Sequence, residues 1–267
     1  MCRNANKEDK GGIMARHRGK YNPDNSVAYE VSRSKIENFI KCPACFYLDR
    51  VKGVKFPPIF GYNINEATDV LLKKEFDKYR EKQESHPFLI KKSLSHLIPF
   101  QHDDFELWTK SLQLGLRTYH EETNLIIGGG LDDVWFNKKN NKLHIVDYKS
   151  TSVKTEGKGI DMNDQWKGSY KRQMDVYIWI LKKNGFDVSD TGYFLYCDGD
   201  RFTEEPFLNE KDARMIFKMY LFEYESDQNW VDTAIKNIKK LLDNSVCPDH
   251  SQGCEYGLFL DMVNQNS

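Results

Sequence analysis

Two apolar segments around a short polar turn constrain the fold of this chain most strongly. Residues 125–136 and 142–150 are rich in Ile, Leu, Val and aromatic side chains, and they flank the turn Asn137-Lys138-Lys139-Asn140-Asn141. This pattern is typical of a β-hairpin. Helical periodicity dominates on both sides of it, so we expect an α/β fold rather than an all-β one.

The hairpin carries an acidic pair at one end. A symmetric turn centred between Lys139 and Asn140 pairs residues whose numbers sum to 279, which sets Asp132 opposite Asp147. Directly opposed residues have Cβ atoms about 5 Å apart. A register shifted by one residue would bring in Asp133 instead. Like charges facing each other destabilise a sheet, so something must compensate for them.

Two compensations are open at this stage. Carboxylate oxygens at such a separation suit Mg²⁺ or Mn²⁺. Lys149 lies two residues after Asp147 and therefore on the same face of the strand, where it could act on a phosphate or an attacking water. The alternative is a salt-bridged sheet in which Lys149 only neutralises Asp147.

A helix is predicted over residues 165–183, and it carries polar side chains that are candidates to join the acidic pair of the hairpin. Gln173 and Tyr177 are four residues apart and lie on one helix face. Lys167, Lys171 and Arg172 are candidate contacts to a nucleic-acid backbone.

These motifs occur in the order G-x-x-D, D-Y-K-S and Q-x-x-x-Y, after an opening segment Ser34-Lys35-Ile36-Glu37-Asn38-Phe39-Ile40-Lys41-Cys42-Pro43. In that order the chain resembles the PD-(D/E)XK nuclease superfamily over about residues 31–260. Within it the chain looks most similar to the RecB/AddB-like branch, which is related to the CRISPR-adaptation exonucleases. The resemblance implies a restriction-endonuclease-like α/β core, a central mixed sheet flanked by helices with an N-terminal helical cover.

The resemblance also implies residue roles. Asp132, Asp147 and the carbonyl of Tyr148 would bind Mg²⁺ or Mn²⁺, Lys149 would be the catalytic lysine, and Gln173 and Tyr177 the helix pair. The branch often has a metal-binding histidine four residues after an early glycine, but here Gly61 is followed at that spacing by Asn65. Asp69 and Glu75 on the same helix are possible replacements, unless Asp69 is a surface residue.

Six cysteines are too few for a disulfide scaffold in a chain of this length. In related nucleases, cysteines from both ends of the chain bind a [4Fe–4S] cluster, and Cys42, Cys45, Cys247 and Cys254 are the corresponding candidates. Gly257 stands where the last cysteine is expected. Three outcomes stay open, namely an iron–sulfur cluster, a zinc site in which His250 replaces one cysteine, and free buried thiols. Cys2 and Cys197 are expected to be bystanders.

The chain has 267 residues and a formal net charge of -1, which excludes a uniformly basic coat but not a local basic patch. We expect a flexible tail over residues 1–28, with a nucleic-acid-contacting arm as the alternative, and one nuclease-like domain over residues 29–262. That domain comprises N-terminal helices (31–115), a catalytic core (123–225) and a C-terminal helix with its cysteine segment (228–262). The sequence has no long apolar run and no signal peptide, so we expect a cytoplasmic protein.

Further elements follow from periodicity. Helices are predicted from a cap at Ser34, over 63–82 with Ala67, Val70, Leu71 and Phe76 facing inward, over 105–114 and over 230–242. Strands are predicted over 192–197 and 215–224.

The function that follows is a Mg²⁺- or Mn²⁺-dependent deoxyribonuclease acting on DNA ends or single strands in repair, recombination or defence. One alternative is a catalytically weak nucleic-acid-binding module on the same fold. The other is an accessory subunit of a helicase–nuclease complex, whose motor would be another chain because no Walker motif occurs here.

Overall fold

The computed structural model of the chain describes residues 17–57, 61–110 and 115–266. The strands form two separate mixed sheets, ordered β1-β4-β3 and β2-β5-β6-β7-β8. The strands are β1 (Tyr29–Ser32), β2 (Leu97–Pro99), β3 (Leu116–His120), β4 (Leu125–Gly129), β5 (Asp133–Asn137), β6 (Lys142–Thr151), β7 (Thr191–Gly199) and β8 (Phe217–Glu225).

Helices flank both sheets, as the predicted fold class requires. They are α1 (Arg33–Lys41), α2 (Pro43–Tyr47), α3 (Asn63–Lys82), α4 (Pro87–Lys91), α5 (Phe105–Thr109), α6 (Gly168–Lys183), α7 (Asn229–Leu242) and α8 (Glu255–Gln265). A π-helical turn spans Leu48–Lys52, and short 3-10 turns span Glu121–Thr123 and Gln165–Lys167. In the part of the chain described here, no helix is both long enough and apolar enough to cross a membrane.

The predicted hairpin register is confirmed. Asp133 pairs with Val146 and Asn137 with Lys142, so paired residue numbers sum to 279. The extent of the first strand was wrong, however, because residues 125–136 form β4 and β5 in different sheets. The chain crosses between the sheets at residues 130–132, where Leu131 is buried and its N–H donates to the Trp108 carbonyl at 3.1 Å.

Helix α6 fills the space between the two sheets. It contacts β3 and β4 of the small sheet and β6 of the large one. A helix that packs on several sides must be apolar around most of its circumference, and residues 173–181 of α6 are all buried.

Helix α3 covers the opposite face of the large sheet. Its bounds match the prediction, but its orientation does not, because Ala67, Val70 and Leu71 are exposed. Phe76 faces inward as predicted, and the other inward positions are Thr68, Leu72 and Arg80, which share its four-residue spacing. Arg80 turns inward because it pairs with a buried carboxylate of β5, and an apolar-only criterion cannot find such a position.

Three terminal and loop predictions need correction. Residues 17–28 are not a free tail, because His17 forms a bridge to Tyr29 and Arg18 forms an ion pair with Glu30. Residues 1–16, with Cys2, lie outside the described residues. Helix α1 is preceded by Ser32 rather than Ser34 as its N-cap residue. Helix α5 ends at Thr109, and residues 111–114 of its predicted extent lie outside the described part.

Candidate active site and metal centre

The acidic pair lies where the chain enters β5 and along β6. Asp147 and Lys149 are on the β6 face that meets α6, while Val146 and Tyr148 face α3, as strand alternation requires. Asp132 directly precedes β5 and accepts a hydrogen bond from the Tyr148 N–H at 2.9 Å. Its carboxylate is therefore held across the hairpin from Asp147.

Asp147 is the most deeply buried member of the site, with 1% of its surface exposed. Gln173 of α6 donates to its Oδ1 at 2.7 Å. Its Oδ2 forms a close ion pair with Lys149 Nζ, yet no group among the described residues donates to Oδ2 with hydrogen-bond geometry. The pKa of Asp147 is raised to about 6, because burial, with Asp132 adding to it, outweighs the opposing effect of Lys149.

Lys149 is held close to the carboxylates. Burial alone would lower the pKa of Lys149, but Asp147 and Asp132 outweigh burial and raise it. Its Nζ also lies 3.3 Å from the carbonyl of Tyr148, the predicted metal-binding carbonyl, and 4.8 Å from the centre of the Tyr170 ring. Lys149 is thus a stable cation at the mouth of the acidic site.

Helix α3 contributes a third carboxylate. Burial raises the pKa of Asp69 to about 6, with Asp132 adding to the shift and Lys73 opposing it. Asp69 is therefore no isolated surface residue. Asn65, the residue in place of the histidine, is exposed one turn earlier, and Glu75 forms ion pairs with Lys78 and His86 instead of approaching the acids.

Tyr177 closes the site from the α6 side. A Cβ on Gly129 would lie 2.5 Å from Tyr177 Cε1, so glycine is required for this close approach. Burial raises the pKa of Tyr177, while the neighbouring Arg33 opposes the shift. Gln173 and Tyr177 are thus brought to the acidic pair, as their spacing predicts.

Asp133, the alternative partner from a shifted register, has a separate environment. It is fully buried and accepts from Arg80 Nη2 at 2.6 Å and from the Tyr148 hydroxyl at 2.7 Å. Asp133 is a structural residue on the α3 side of the sheet.

The acidic site offers oxygen ligands to a divalent cation. Asp69 and Asp147 both lie close enough to Asp132 for its charge to raise their pKa values. The buried Asp147 Oδ2 faces Lys149 Nζ in an ion pair and accepts no hydrogen bond from the other described residues, so a metal ion would share it with the ammonium group. Oxygen donors of this kind suit Mg²⁺ or Mn²⁺. Lys149 and Lys73 also pair with these acids, the latter with Asp132 at 3.5 Å, so the site is partly salt-bridged as the alternative interpretation expected.

Basic residues line a cavity of about 420 Å³ next to Gln173 and Tyr177. Its walls include Arg18, Arg33, Lys35 and Arg50. No sequence motif marks this basic set, although Arg18 belongs to residues 1–28, for which a nucleic-acid-contacting arm was the alternative prediction. The four cations lie between residues 18 and 50, and they meet because the N-terminal segment packs against β1 and the turn Leu48–Lys52.

The predicted nucleic-acid contacts on α6 are largely engaged within the protein. Lys167 is buried and donates to the Asp161 carbonyl, so it cannot be a surface contact. Arg172 forms two hydrogen bonds to Glu37, at 2.7 and 2.8 Å. Lys171 is half-buried, with its Nζ 5.9 Å from the centre of the Tyr224 ring.

A second candidate metal site joins the two ends of the domain. Ligand atoms of Cys42, Cys45, His250 and Cys254 lie within 4.8 Å of one another. His250 Nδ1 is 3.4 Å from Cys42 Sγ and 3.5 Å from Cys254 Sγ. Burial raises the pKa of Cys42, but hydrogen-bond donors led by the Ser251 N–H outweigh burial and lower it to about 6, whereas burial and the neighbouring thiols raise the pKa of Cys45, so the site favours a thiolate at Cys42 first.

Cys247, the fourth predicted ligand, packs beside this group but is not one of the four converging residues. Its Sγ lies 3.4 Å from the Pro248 carbonyl instead, and His250 occupies the fourth position. Gly257 explains the exchange, because a Cβ there would lie 2.7 Å from His250 Cβ and Cγ. The glycine that stands in place of the expected cysteine leaves room for the imidazole. Cys197 is a free buried thiol on β7.

A solved structure described as "Crystal structure of SSO0001" is 12% identical, with 86% of this chain and 92% of that chain covered and a TM-score of 0.27. No curated protein matches. The family model of the PD-(D/E)XK nuclease superfamily matches residues 30–257, which include every residue of the acidic site. The chain therefore belongs to the PD-(D/E)XK nuclease superfamily.

Proposed function

We propose that the protein is a Mg²⁺- or Mn²⁺-dependent nuclease that hydrolyses phosphodiester bonds in DNA. The observation that carries the proposal is the meeting of Asp132, Asp147 and Lys149 at one end of the β5–β6 hairpin, beside a basic cavity. This arrangement combines metal-binding oxygens with a cation for phosphate charge.

Asp132 and Asp147 would hold the metal, and Asp69 would supply a further oxygen from α3. The ion, when bound, polarises the scissile phosphate and lowers the pKa of the attacking water. Gln173 positions Asp147 by donating to Oδ1, so that Oδ2 faces Lys149 and would be the oxygen shared with the ion. Lys149 stabilises negative charge that develops on the phosphate.

The basic cavity supports an anionic polymer as the substrate. Arg33 lies close enough to Asp147 and Tyr177 to influence both side chains. Lys35 and Arg50 share a single carboxylate, Asp49, at 2.7 Å each. Positive charge therefore exceeds negative charge beside the acidic site, and substrate affinity should fall steeply with salt.

Cleavage of labelled linear single-stranded DNA, linear duplex, circular DNA and RNA tests the proposal, with Mn²⁺, Mg²⁺ or EDTA. We expect cutting of DNA only with metal, and a loss of at least 100-fold in Asp147→Asn and in Lys149→Ala, in line with the loss of electrostatic catalytic groups. Asp187→Asn, an exposed acid paired with Lys142 at 3.9 Å, is the matched control.

The substrates also test the finer parts of the proposal. Cutting of linear but not circular DNA would support the exonuclease or end-processing role and the RecB/AddB-like branch. Binding without cutting in any metal would instead favour the nucleic-acid-binding module, and activity only with an added helicase would favour the accessory subunit. Faster cutting of RNA would contradict the DNA assignment.

We further propose that Cys42, Cys45, His250 and Cys254 bind one structural zinc ion. A tetrahedral ion with Zn–S near 2.3 Å holds its ligand atoms about 3.5–3.8 Å apart, close to the 3.4 Å between Cys45 and Cys254 Sγ. A [4Fe–4S] cluster binds each ligand through a different iron and needs them further apart. Elemental analysis should find about one zinc per chain, lost in His250→Ala and retained in Cys197→Ser, whereas iron with acid-labile sulfide would contradict the proposal.

A further inference from the structure

Trp166 is exposed beside the acidic site. It is 57% exposed, whereas Trp108, Trp135 and Trp179 are all less than one-tenth exposed. Its indole packs edge-on against Tyr170 with 5.5 Å between ring centres, and the Tyr170 ring in turn contacts Lys149. One aromatic ring therefore separates this indole from the proposed catalytic lysine.

A cavity of about 390 Å³ opens next to the indole, and we call it the Trp166 cavity. Its lining includes Trp166, Tyr196, Ile160, Lys154 and Lys158. The volume lies in the range of small-ligand sites, roughly 300–1,000 Å³. An aromatic floor with flanking lysines suits a planar ring that carries a phosphate.

Tyr196 supplies a second, independent sign of a ligand. The side chain is 1% exposed and lines the Trp166 cavity, yet its hydroxyl has no hydrogen-bond partner among the described residues. Buried hydroxyls are nearly always paired because leaving one unpaired is costly. A ligand with a polar ring edge would satisfy this hydroxyl.

The walls of the cavity are fixed within the protein. Lys167 Nζ lies 5.0 Å from the Trp166 ring centre and 5.8 Å from that of Tyr196. On the opposite side, the Val153 N–H donates to Asp198 at 2.9 Å, and the Ser152 hydroxyl donates to the Gly199 carbonyl at 2.8 Å. The site is preformed, which reduces the entropy cost of binding.

Lys154 and Lys158 provide positive charge, while the two aspartates of the lining are Asp161 and Asp164, the latter paired with Lys167 at 3.6 Å. Both Lys154 and Lys158 are exposed, and neither forms an ion pair within the described ranges. They are therefore available to a phosphate that follows or precedes a bound ring.

We propose that the Trp166 cavity binds one unpaired nucleobase next to the cleaved phosphate, so that the protein acts on single-stranded nucleic acid. The proposal rests on the proposed function and adds its substrate class. A base whose face stacks on the indole has left the duplex stack. Stacking on an aromatic side chain does not distinguish one base from another, whereas a hydrogen bond between the Tyr196 hydroxyl and the base edge would favour some bases over others.

Binding without cleavage tests the site independently of catalysis. The full chain, with Ca²⁺ in place of Mg²⁺, is titrated with fluorescein-labelled single-stranded and duplex oligonucleotides. Tryptophan emission and anisotropy are recorded together. We expect tighter binding of the single strand, with quenched tryptophan emission. Trp166→Ala should lose the quenching and raise Kd by about 5–150-fold, the loss of one stacked base.

Matched variants separate stacking from damage to the fold. Trp166→Phe should retain most of the affinity, and Phe259→Ala, which removes an aromatic ring of 63% exposure from α8, should leave Kd unchanged. Tyr196→Phe should make the four homopolymers bind with more nearly equal Kd. Equal affinity for single strand and duplex, or an unchanged Kd in Trp166→Ala, would overturn the proposal.

A scan with one abasic position identifies the bound nucleotide. In the wild type, cleavage in Mn²⁺ should slow at one abasic position near the cut, and Trp166→Ala should abolish that dependence. Trp166-dependent binding without any cleavage would overturn the proposed function and keep the base site. Cleavage that is insensitive both to abasic positions and to Trp166→Ala would overturn the base site alone.

Discussion

Asp133→Asn removes the charge that balances a buried guanidinium. Asp133 is fully buried, and its carboxylate accepts from Arg80 Nη2 at 2.6 Å, the Val134 N–H at 2.7 Å and Trp135 Nε1 at 3.1 Å, as well as from the Tyr148 hydroxyl. Arg80 is itself only 8% exposed and sits 3.8 Å from the Phe105 ring centre. The change preserves the shape of the side chain but removes the buried carboxylate, so that Arg80 keeps the exposed Asp77, 3.0 Å from its Nε, as its charged partner.

The expected cost is large. Breaking a buried ion pair by removing one partner destabilises a protein by about 3–5 kcal/mol. Whole domains are stable by only about 5–15 kcal/mol, so the variant would lose a substantial part of its stability. At about 2–4 °C per kcal/mol for a domain of this size, the melting temperature should fall by roughly 6–20 °C.

Thermal and urea unfolding of the variants measure this effect. The double variant Arg80→Met/Asp133→Asn should recover part of the loss, because no uncompensated charge remains. Asp187→Asn serves as the surface control, with an expected change of at most about 1 kcal/mol. Two results would refute the reasoning. One is a loss of less than about 1 kcal/mol in the free energy of unfolding of Asp133→Asn; the other is a double variant whose loss relative to the wild type equals the sum of the losses in the two single variants.

Three further results are expected. Gly129→Ala should displace Tyr177 and destabilise the protein by about 1–3 kcal/mol. Both the melting temperature and kcat/KM should therefore fall. Unchanged values of both would contradict the close contact between Gly129 and Tyr177. Burial lowers the pKa of His144, which donates from Nδ1 to the Thr191 carbonyl at 2.8 Å, so the unfolded state protonates this side chain first and its contribution to stability should be lost as the pH drops below about 6.5. Asp69 and Asp147, whose pKa values are raised, act in the opposite direction in wild type and variant alike. The difference in free energy of unfolding between wild type and His144→Asn, measured in urea titrations, should therefore shrink as the pH falls, and a constant difference would contradict it. Removal of zinc by a chelator should lower the melting temperature of the wild type but not of Cys45→Ser, and an equal shift in both would argue against the Cys45 ligand.

The sequence predicted the local geometry of the hairpin well. Register follows from the turn and from strand alternation, and both are properties of neighbouring residues, so Asp147 and Lys149 were assigned to one face correctly. The spacing of Gln173 and Tyr177 likewise brings both to the acidic pair. Long periodic elements such as α3 and α7 also matched closely in extent.

Contacts between distant segments could not be predicted in the same way. The charge of Lys167 predicts a surface position, but the loop that ends at Asp164 buries the side chain. The presence of His250 rather than Cys247 among the four converging residues depends on the space left by Gly257 of α8. Short strands such as β1 and β2 have too few residues for a periodic signal, and they form because a neighbouring strand is already in place.

The break between β4 and β5 shows how such a missed feature positions the site. Had residues 125–136 formed one strand, Asp132 would be a member of the ladder and its carboxylate would lie on a sheet face. Because the chain instead crosses between sheets at residues 130–132, Asp132 reaches the Tyr148 N–H at the open end of the hairpin. The same crossing ends β4 at Gly129, where α6 approaches closely enough for Tyr177 to contact the backbone. The gap between the sheets therefore admits the helix that carries Gln173, and the acidic pair, its amide donor and the basic cavity converge there.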